Sequence, residues 1–218
     1  MNTDRFATGY HDQIRRDVFP LVPSAGGTLM DVGGGIGATA SALKDMGRCD
    51  RAIVVDHLEG EVAPGIDALY IGDLNDAAFL DRISASEGSV QTMLCLDVLE
   101  HLVDPWTVLA RLTGMLAEGG TVVISLPNAQ NALVLRRLFL QGRFQLDPHG
   151  IMDRTHLRWF TRSDAIDLAT SAGLEVEQVV NKIGGRPRRL LNLATFGLFR
   201  GLLVFQTQIR AGKPRAAR

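Results

Sequence analysis

The segment Leu29-Met30-Asp31-Val32-Gly33-Gly34-Gly35-Ile36-Gly37-Ala38 restricts what this chain can become more than any other. An apolar run carries an acid near its end, glycines follow at alternate positions, and a helical pattern starts at Ala38. That succession specifies a buried strand turning tightly into a helix, because glycine lets the backbone reverse and approach a ligand with no Cβ in the way. The rest of the chain repeats the theme. Apolar runs of strand length cover 28–32, 52–56, 68–71, 90–96 and 121–126. Helical patterns lie between them at 38–46, 76–83 and 105–116, the last expected to stop at Gly119-Gly120. A leading helix is read at 6–22, and beyond the fifth strand a helix at 162–172, a strand at 174–180, an apolar segment at 190–199 and a last strand at 202–209. Alternation of this kind specifies right-handed crossovers and an α/β, doubly wound, mostly parallel sheet. Continuous apolar strands imply burial on both faces.

A chain of 218 residues can enclose one full core, and residues 1–218 read as a single domain. Within it, 1–24 form a leading helix, 128–160 a substrate lid inserted after the fifth strand, and 182–218 a basic C-terminal segment. A hydrophobic share of 46% and a charged share of 22% exclude disorder and a polytopic membrane protein. Two cysteines, Cys49 and Cys95, are too few for a disulfide scaffold or a zinc cluster. With no apolar core of a secretory signal near the N-terminus, the expected setting is reducing and cytoplasmic. The net charge of -1 conceals an asymmetry, since 182–218 carry nine basic and no acidic side chains, leaving 14 basic against 24 acidic in 1–181. The tail should attract anions.

Two ligand classes fit the glycine loop. Gly33, Gly35 and Ala38 satisfy the dinucleotide fingerprint G-x-G-x-x-A. Asp31 argues against it, because a carboxylate two residues before the first glycine would repel a pyrophosphate. S-adenosylmethionine carries an ammonium and a sulfonium, so the same acid attracts it, while the helix N-terminus can meet its carboxylate. Asp56 closes the second strand about 20 residues later, where an acid accepts hydrogen bonds from ribose hydroxyls. Gly72-Asp73-Leu74 follows the third strand, where Asp73 can accept from an adenine amino group and a main-chain N–H can meet a ring nitrogen.

With D-x-G-x-G-x-G at 31–37, Asp56, Gly72-Asp73, Cys95-Leu96-Asp97-Val98-Leu99-Glu100-His101-Leu102 and Leu126-Pro127-Asn128, the chain resembles the class I S-adenosylmethionine-dependent methyltransferases. Within them it is most similar to the small-molecule O-methyltransferases of ubiquinone biosynthesis and of many glycan gene clusters. The resemblance implies a Rossmann-like sheet of seven strands with an antiparallel last strand. It implies S-adenosyl-L-methionine as cofactor and S-adenosyl-L-homocysteine as product. The cofactor-binding set would be Asp31, Gly33, Gly35, Gly37, Asp56, Asp73, Leu74 and Asp97. Gly34 stands where the family often has Cys or Ala, a departure expected to be harmless.

The 97–101 stretch also resembles the metal site of the ubiquinone-pathway enzymes and of the small-RNA 3′-end methyltransferases, whose further histidine lies in a segment similar to 154–162. Carried over, the ligands of a divalent ion would be Asp97, Glu100, His101 and His156. Asp97 is one methylene shorter than the family's glutamate, and a helix start explains Glu100 and His101 without an ion. The reading therefore favours no metal. It makes His101 and His156 the catalytic candidates for general base, with flanking carboxylates expected to raise the imidazole pKa. His11 and His149 are weaker candidates, and Tyr10 is expected to help shut out water.

The favoured function is transfer of a methyl group to a hydroxyl of a small-molecule, glycan or lipid-linked acceptor that bears phosphate. A non-catalytic cofactor-binding regulator and a nicotinamide oxidoreductase are the alternatives. Arg186-Pro187-Arg188-Arg189 opens an apolar run too short and too charged to span a bilayer, so it would touch the inner membrane face only peripherally. The acidic remainder of the chain speaks against nucleic acid.

Overall fold

The computed structural model describes residues 13–215. A seven-stranded sheet runs in the order β3-β2-β1-β4-β5-β7-β6. Its strands are β1 (Thr28–Val32), β2 (Arg51–Asp56), β3 (Ala68–Ile71), β4 (Val90–Leu96), β5 (Leu116–Pro127), β6 (Glu175–Ile183) and β7 (Val204–Gly212). The first five strands pair in parallel, and β7 lies antiparallel between β5 and β6. The sequence-based expectation of an antiparallel last strand is met. Strand order reverses between β1 and β4, so a crevice opens there at the carboxyl ends of the strands.

Helices α1 (Ala38–Asp45), α2 (Ala77–Glu87), α3 (Pro105–Met115), α4 (Ala132–Gln141), α5 (Arg162–Ser171), α6 (Arg186–Ala194) and α7 (Arg200–Leu203) accompany the sheet among the described residues, with 3-10 turns at Arg16–Leu21 and Leu99–His101. Consecutive strand residues point to opposite faces, and both faces are covered. On one, α2, α3 and α5 place Phe79, Leu109 and Leu168 over Met30, Met93 and Ile124. On the other, α1 and the first 3-10 turn place Leu43, Val18 and Leu21 over Leu29, Leu94 and Val123. Helix starts follow local chemistry. Asp104 accepts from the Thr107 N–H at 3.1 Å just before Pro105, and Thr161 and Asp164 form a reciprocal capping box at α5.

Four expectations need correction. Gly119 and Gly120 do not end α3, which stops at Met115; they lie inside β5, where the pairing with β4 shifts register between Val90 and Thr92. Of the leading helix, residues 6–12 lie outside the described residues, and its second half is instead the short 3-10 turn Arg16–Leu21 with Pro20 inside it. Segment 128–160, read as a lid insertion with no helix assigned to it, contains α4. The edge strand β3 is only half-buried, and β6 has exposed positions along its length, so burial on both faces holds for the sheet's centre alone.

Candidate active site

The strand ends at the switch point carry most of the candidate cofactor-binding residues. Gly33, Gly35 and Gly37 have φ of 71°, 58° and 80°, the left-handed region that glycine enters without a Cβ penalty. A Cβ on Gly33 would lie 2.6 Å from Val98, and one on Gly37 2.6 Å from Val54, so the loop is pressed onto the sheet as well as turned. Gly34 is not neutral, because a Cβ there would stand 2.6 Å from the Asp31 carboxyl carbon. Asp31, 2% exposed, fills the room that Gly34 leaves. Burial, then repulsion from Asp56, pushes its pKa up to about 7, against the opposing charge of Arg15.

Asp56 is 4% exposed and fastens the loop from the neighbouring strand. Its Oδ2 accepts from the Gly35 N–H at 2.7 Å, and its Oδ1 from the Leu58 N–H at 2.9 Å. Asp73 lies exposed at the end of β3 in a turn closed by the Asn75 N–H at 2.8 Å, beside buried Leu74. The α2 cap is Asp76, which accepts from the Ala78 N–H.

Asp97 follows β4 with φ of 56°, a backbone state uncommon for a non-glycine residue. Its carboxylate pairs with Arg15 and accepts from Gln206 Nε2 at 2.6 Å and Ser125 Oγ at 3.3 Å. Arg15 was not read from the sequence, where nothing periodic marks it. It reaches the crevice from the segment before the first 3-10 turn, and its guanidinium also donates to Ser125 Oγ at 3.2 Å. Its pKa is raised although burial opposes this, because Asp97 and Asp17 hold its charge.

Glu100, His101 and His156 converge beside this pocket. One potential ligand atom of each lies within 4.8 Å of the others, while Asp97, included in the carried-over ligand set, is outside that cluster. Glu100 is 1% exposed, and neither of its oxygens has a hydrogen-bond partner among the described residues. Burial first, then the charge of Asp97, raises its pKa well above the ordinary carboxyl range. His156 Nδ1 lies 3.1 Å from the Ile151 carbonyl, and His101 Nδ1 3.2 Å from the Thr155 carbonyl. A carbonyl only accepts, so these contacts place a proton on each Nδ1, and in the neutral ring Nε2 is the nitrogen that carries the lone pair. His156 Nε2 lies 4.0 Å from Glu100 Oε1. The expected rise in imidazole pKa is corrected for His156, which is lowered by burial and then by His101.

The two ends of the inserted segment are bonded to each other, and its C-terminal end is bonded to this centre. The Ala129 N–H donates to the Phe160 carbonyl at 2.8 Å, and the Leu157 and Arg158 N–H groups both donate to the Glu100 carbonyl at 2.8 and 3.0 Å. His149 is exposed in its outer loop. His11 and Tyr10 lie outside the described residues.

A family model described as methyltransferase domain matches residues 4–179. The chain belongs to that family. The methyltransferase is 26% identical over 164 residues to the ubiquinone biosynthesis O-methyltransferase of Thiobacillus denitrificans, a match covering 72% of this chain and 68% of that one. Two solved structures have its fold. The S-adenosylmethionine-dependent methyltransferase from Archaeoglobus fulgidus matches with a TM-score of 0.60 at 18% identity, covering 91% of this chain and 90% of that one. The N-methyltransferase NodS from Bradyrhizobium japonicum, in complex with S-adenosyl-L-homocysteine, matches with 0.59 at 17%, covering 91% and 85%. The methyltransferase uses S-adenosyl-L-methionine, which resolves the ambiguity of the glycine loop against a nicotinamide dinucleotide and makes the chain an enzyme, not a regulator. Among the described residues no helix of the methyltransferase is long and apolar enough to cross a membrane.

Proposed function

We propose that this methyltransferase transfers the methyl group to an oxygen of a small acceptor held between the crevice and the 128–160 segment. The carrying observation is the pair of imidazoles whose Nδ1 protons are committed to main-chain carbonyls, leaving two Nε2 lone pairs at one place. Methyl transfer to a hydroxyl needs little else. The acceptor oxygen attacks the methyl carbon in line with the sulfur, the carbon–sulfur bond breaks, its electrons leave the sulfur neutral, and the hydroxyl proton passes to an Nε2. Burial keeps His156 neutral and ready to accept. The name of the Thiobacillus relative, an O-methyltransferase, supports oxygen as the acceptor atom.

On the cofactor side, Gly33, Gly35 and Gly37 make room for the methionine portion, with Asp31 and Asp97 drawing its cationic groups. Arg15 would meet its carboxylate, Asp56 the ribose, and Asp73 with Leu74 the adenine. The residues also fit a divalent ion. A buried carboxylate with no partner beside two imidazole lone pairs, each oriented by a carbonyl, is a donor set of that kind. Glu100, His101 and His156 would hold the ion, which when bound supplies Lewis acidity toward an acceptor hydroxyl. Residues 128–160 act as the lid, anchored on Glu100 and the end of β5. The acceptor is read as phosphate-bearing and as a glycan or lipid-linked hydroxyl, because the connection from β6 to β7, which carries Lys182, Arg186, Arg188, Arg189 and Arg200, leaves the sheet at the end where β5 finishes. Buried, free Cys49 and Cys95 suit a cytoplasmic setting.

The test compares chelation with titration. An imidazole base predicts turnover unmoved by EDTA, lost as pH falls through the histidine range, and abolished in His156→Ala with cofactor binding kept. Turnover stopped by EDTA and restored by added metal, with stoichiometric metal lost in His156→Ala, would establish the ion instead. A His156→Ala variant of full activity would remove both.

A further inference from the structure

We infer that the insertions after β5 and between β6 and β7 form a docking surface for an anionic phospholipid bilayer. Both rise from the edge of the sheet that carries the crevice. β5 ends there at Pro127, which pairs with Gln206 near the start of β7, and Gln206 pairs in turn with Lys182 near the end of β6. The bases of the two insertions are bonded together, since the Asn128 amide donates to the Gly201 and Val204 carbonyls at 2.9 and 3.0 Å and the Asn131 amide to the latter at 2.8 Å.

What they present is apolar and basic at once. On α6 no residue is buried, with Leu190 65% and Leu193 74% exposed. Next comes Phe196, 98% exposed at a φ of 49° and followed by Leu198 at 79%. An aromatic side chain held in water forgoes burial that it gains where an apolar phase receives it. On α4, Phe139 and Leu140 stand out at 77% and 79%. The same two insertions carry exposed Arg136, Arg143, Arg186, Arg189 and Arg200. Residues 128–146 and 182–218 contain no acid, although Arg137 is engaged by Asp147.

Charge decides the occupant. Exposed leucines and phenylalanines interspersed with arginine suit an interface of acyl chains beneath anionic headgroups, where an amphipathic helix lies in the plane. A second copy through the same face would set arginine against arginine. Docking in this orientation turns the crevice toward the headgroup layer. The inference rests on the methyl-transfer reading only in delivering a lipid-linked acceptor there; the surface itself does not depend on it.

Flotation with vesicles tests it without cofactor or turnover, so its failure and the failure of the proposed chemistry are distinguishable. The full chain should float with phosphatidylcholine vesicles containing phosphatidylglycerol, much less with phosphatidylcholine alone, and less as salt rises. Arg186→Ala with Arg189→Ala should weaken binding roughly thirtyfold, at about a factor of five per arginine near an anionic surface. Phe196→Asp should abolish it while circular dichroism and cofactor binding stay unchanged. No flotation with the anionic vesicles, or flotation undiminished in Phe196→Asp, would overturn the inference. So would a dimer in light scattering that Phe196→Asp dissolves, which would identify a second copy as the occupant.

Discussion

Asp31 lies beneath the glycine loop in a place that raises its pKa to about 7 and has room for it only because residue 34 is glycine. A carboxyl held above its unfolded value stabilises the fold fully below the unfolded pKa, near 3.9, and that contribution is lost as pH rises toward 7. Asp31→Asn should therefore make the cofactor-free protein more stable at alkaline pH, by on the order of a few kcal/mol, as thermal melts would read. The proposed partner has the opposite sign. A cofactor cation needs the carboxylate, so affinity for S-adenosylmethionine should fall as pH drops below 7, by up to about tenfold per unit, and calorimetry on Asp31→Asn should find weak, pH-independent binding. Equal pH profiles for the two proteins would show that Asp31 does not face the cation. The acids Asp31 and Asp56 were legible in the sequence because each lies at or next to the end of a strand at a fixed distance from the glycines. Arg15 was not, because its role depends on a contact with Asp97, 82 positions away, which no local pattern encodes. The proton positions on His101 and His156 were equally hidden, since main-chain carbonyls of a loop set them.

The loops after β1 and β4 meet at Gly33 and Val98, so one element's turn constrains the other's. Gly33→Ala combines left-handed strain with a Cβ 2.6 Å from Val98; it should cost roughly 2–4 kcal/mol and displace the loop that carries Asp97. Gly47 makes an internal control, with a φ of 67° and open space around its missing Cβ. Gly47→Ala should cost only about 1 kcal/mol and leave cofactor binding alone. Denaturant melts giving equal losses would show that the packing on Val98 is soft. Most elements could be read in advance, because continuous apolar runs and capping residues bound them. Gly119 and Gly120 misled because a glycine pair can punctuate a strand as well as stop a helix. Here Gly119 has a φ of 73°, and a Cβ on Gly120 would meet the Ala117 carbonyl at 2.9 Å, so the pair marks an irregularity inside β5. Helix α4 escaped notice because its apolar residues do not keep to one buried stripe; only Val134 is buried.

At the scale of the molecule, the sheet is tightest where the site is built. β1 and β4 are flanked on both sides and packed on both faces, whereas β3 is a half-buried edge. Native-state hydrogen exchange should find the amides of 30–32 and 94–95 opening only with global unfolding, and those of 68–71 opening at lower free energy. Protection of β3 equal to that of β1 would contradict this ordering. The doubly wound half of the sheet followed from strand and helix alternation in the sequence, but the neighbours of β7 did not, since pairing order is a long-range property. That placement has a consequence during synthesis. β5 and β6 leave the ribosome before the strand that must lie between them, so neither has its final partner at that edge. Until residues 204–212 emerge, the nascent chain carries an unpaired edge on β5 and a β6 with nothing to dock on, which is the interval in which a chaperone, or another nascent copy, can capture it.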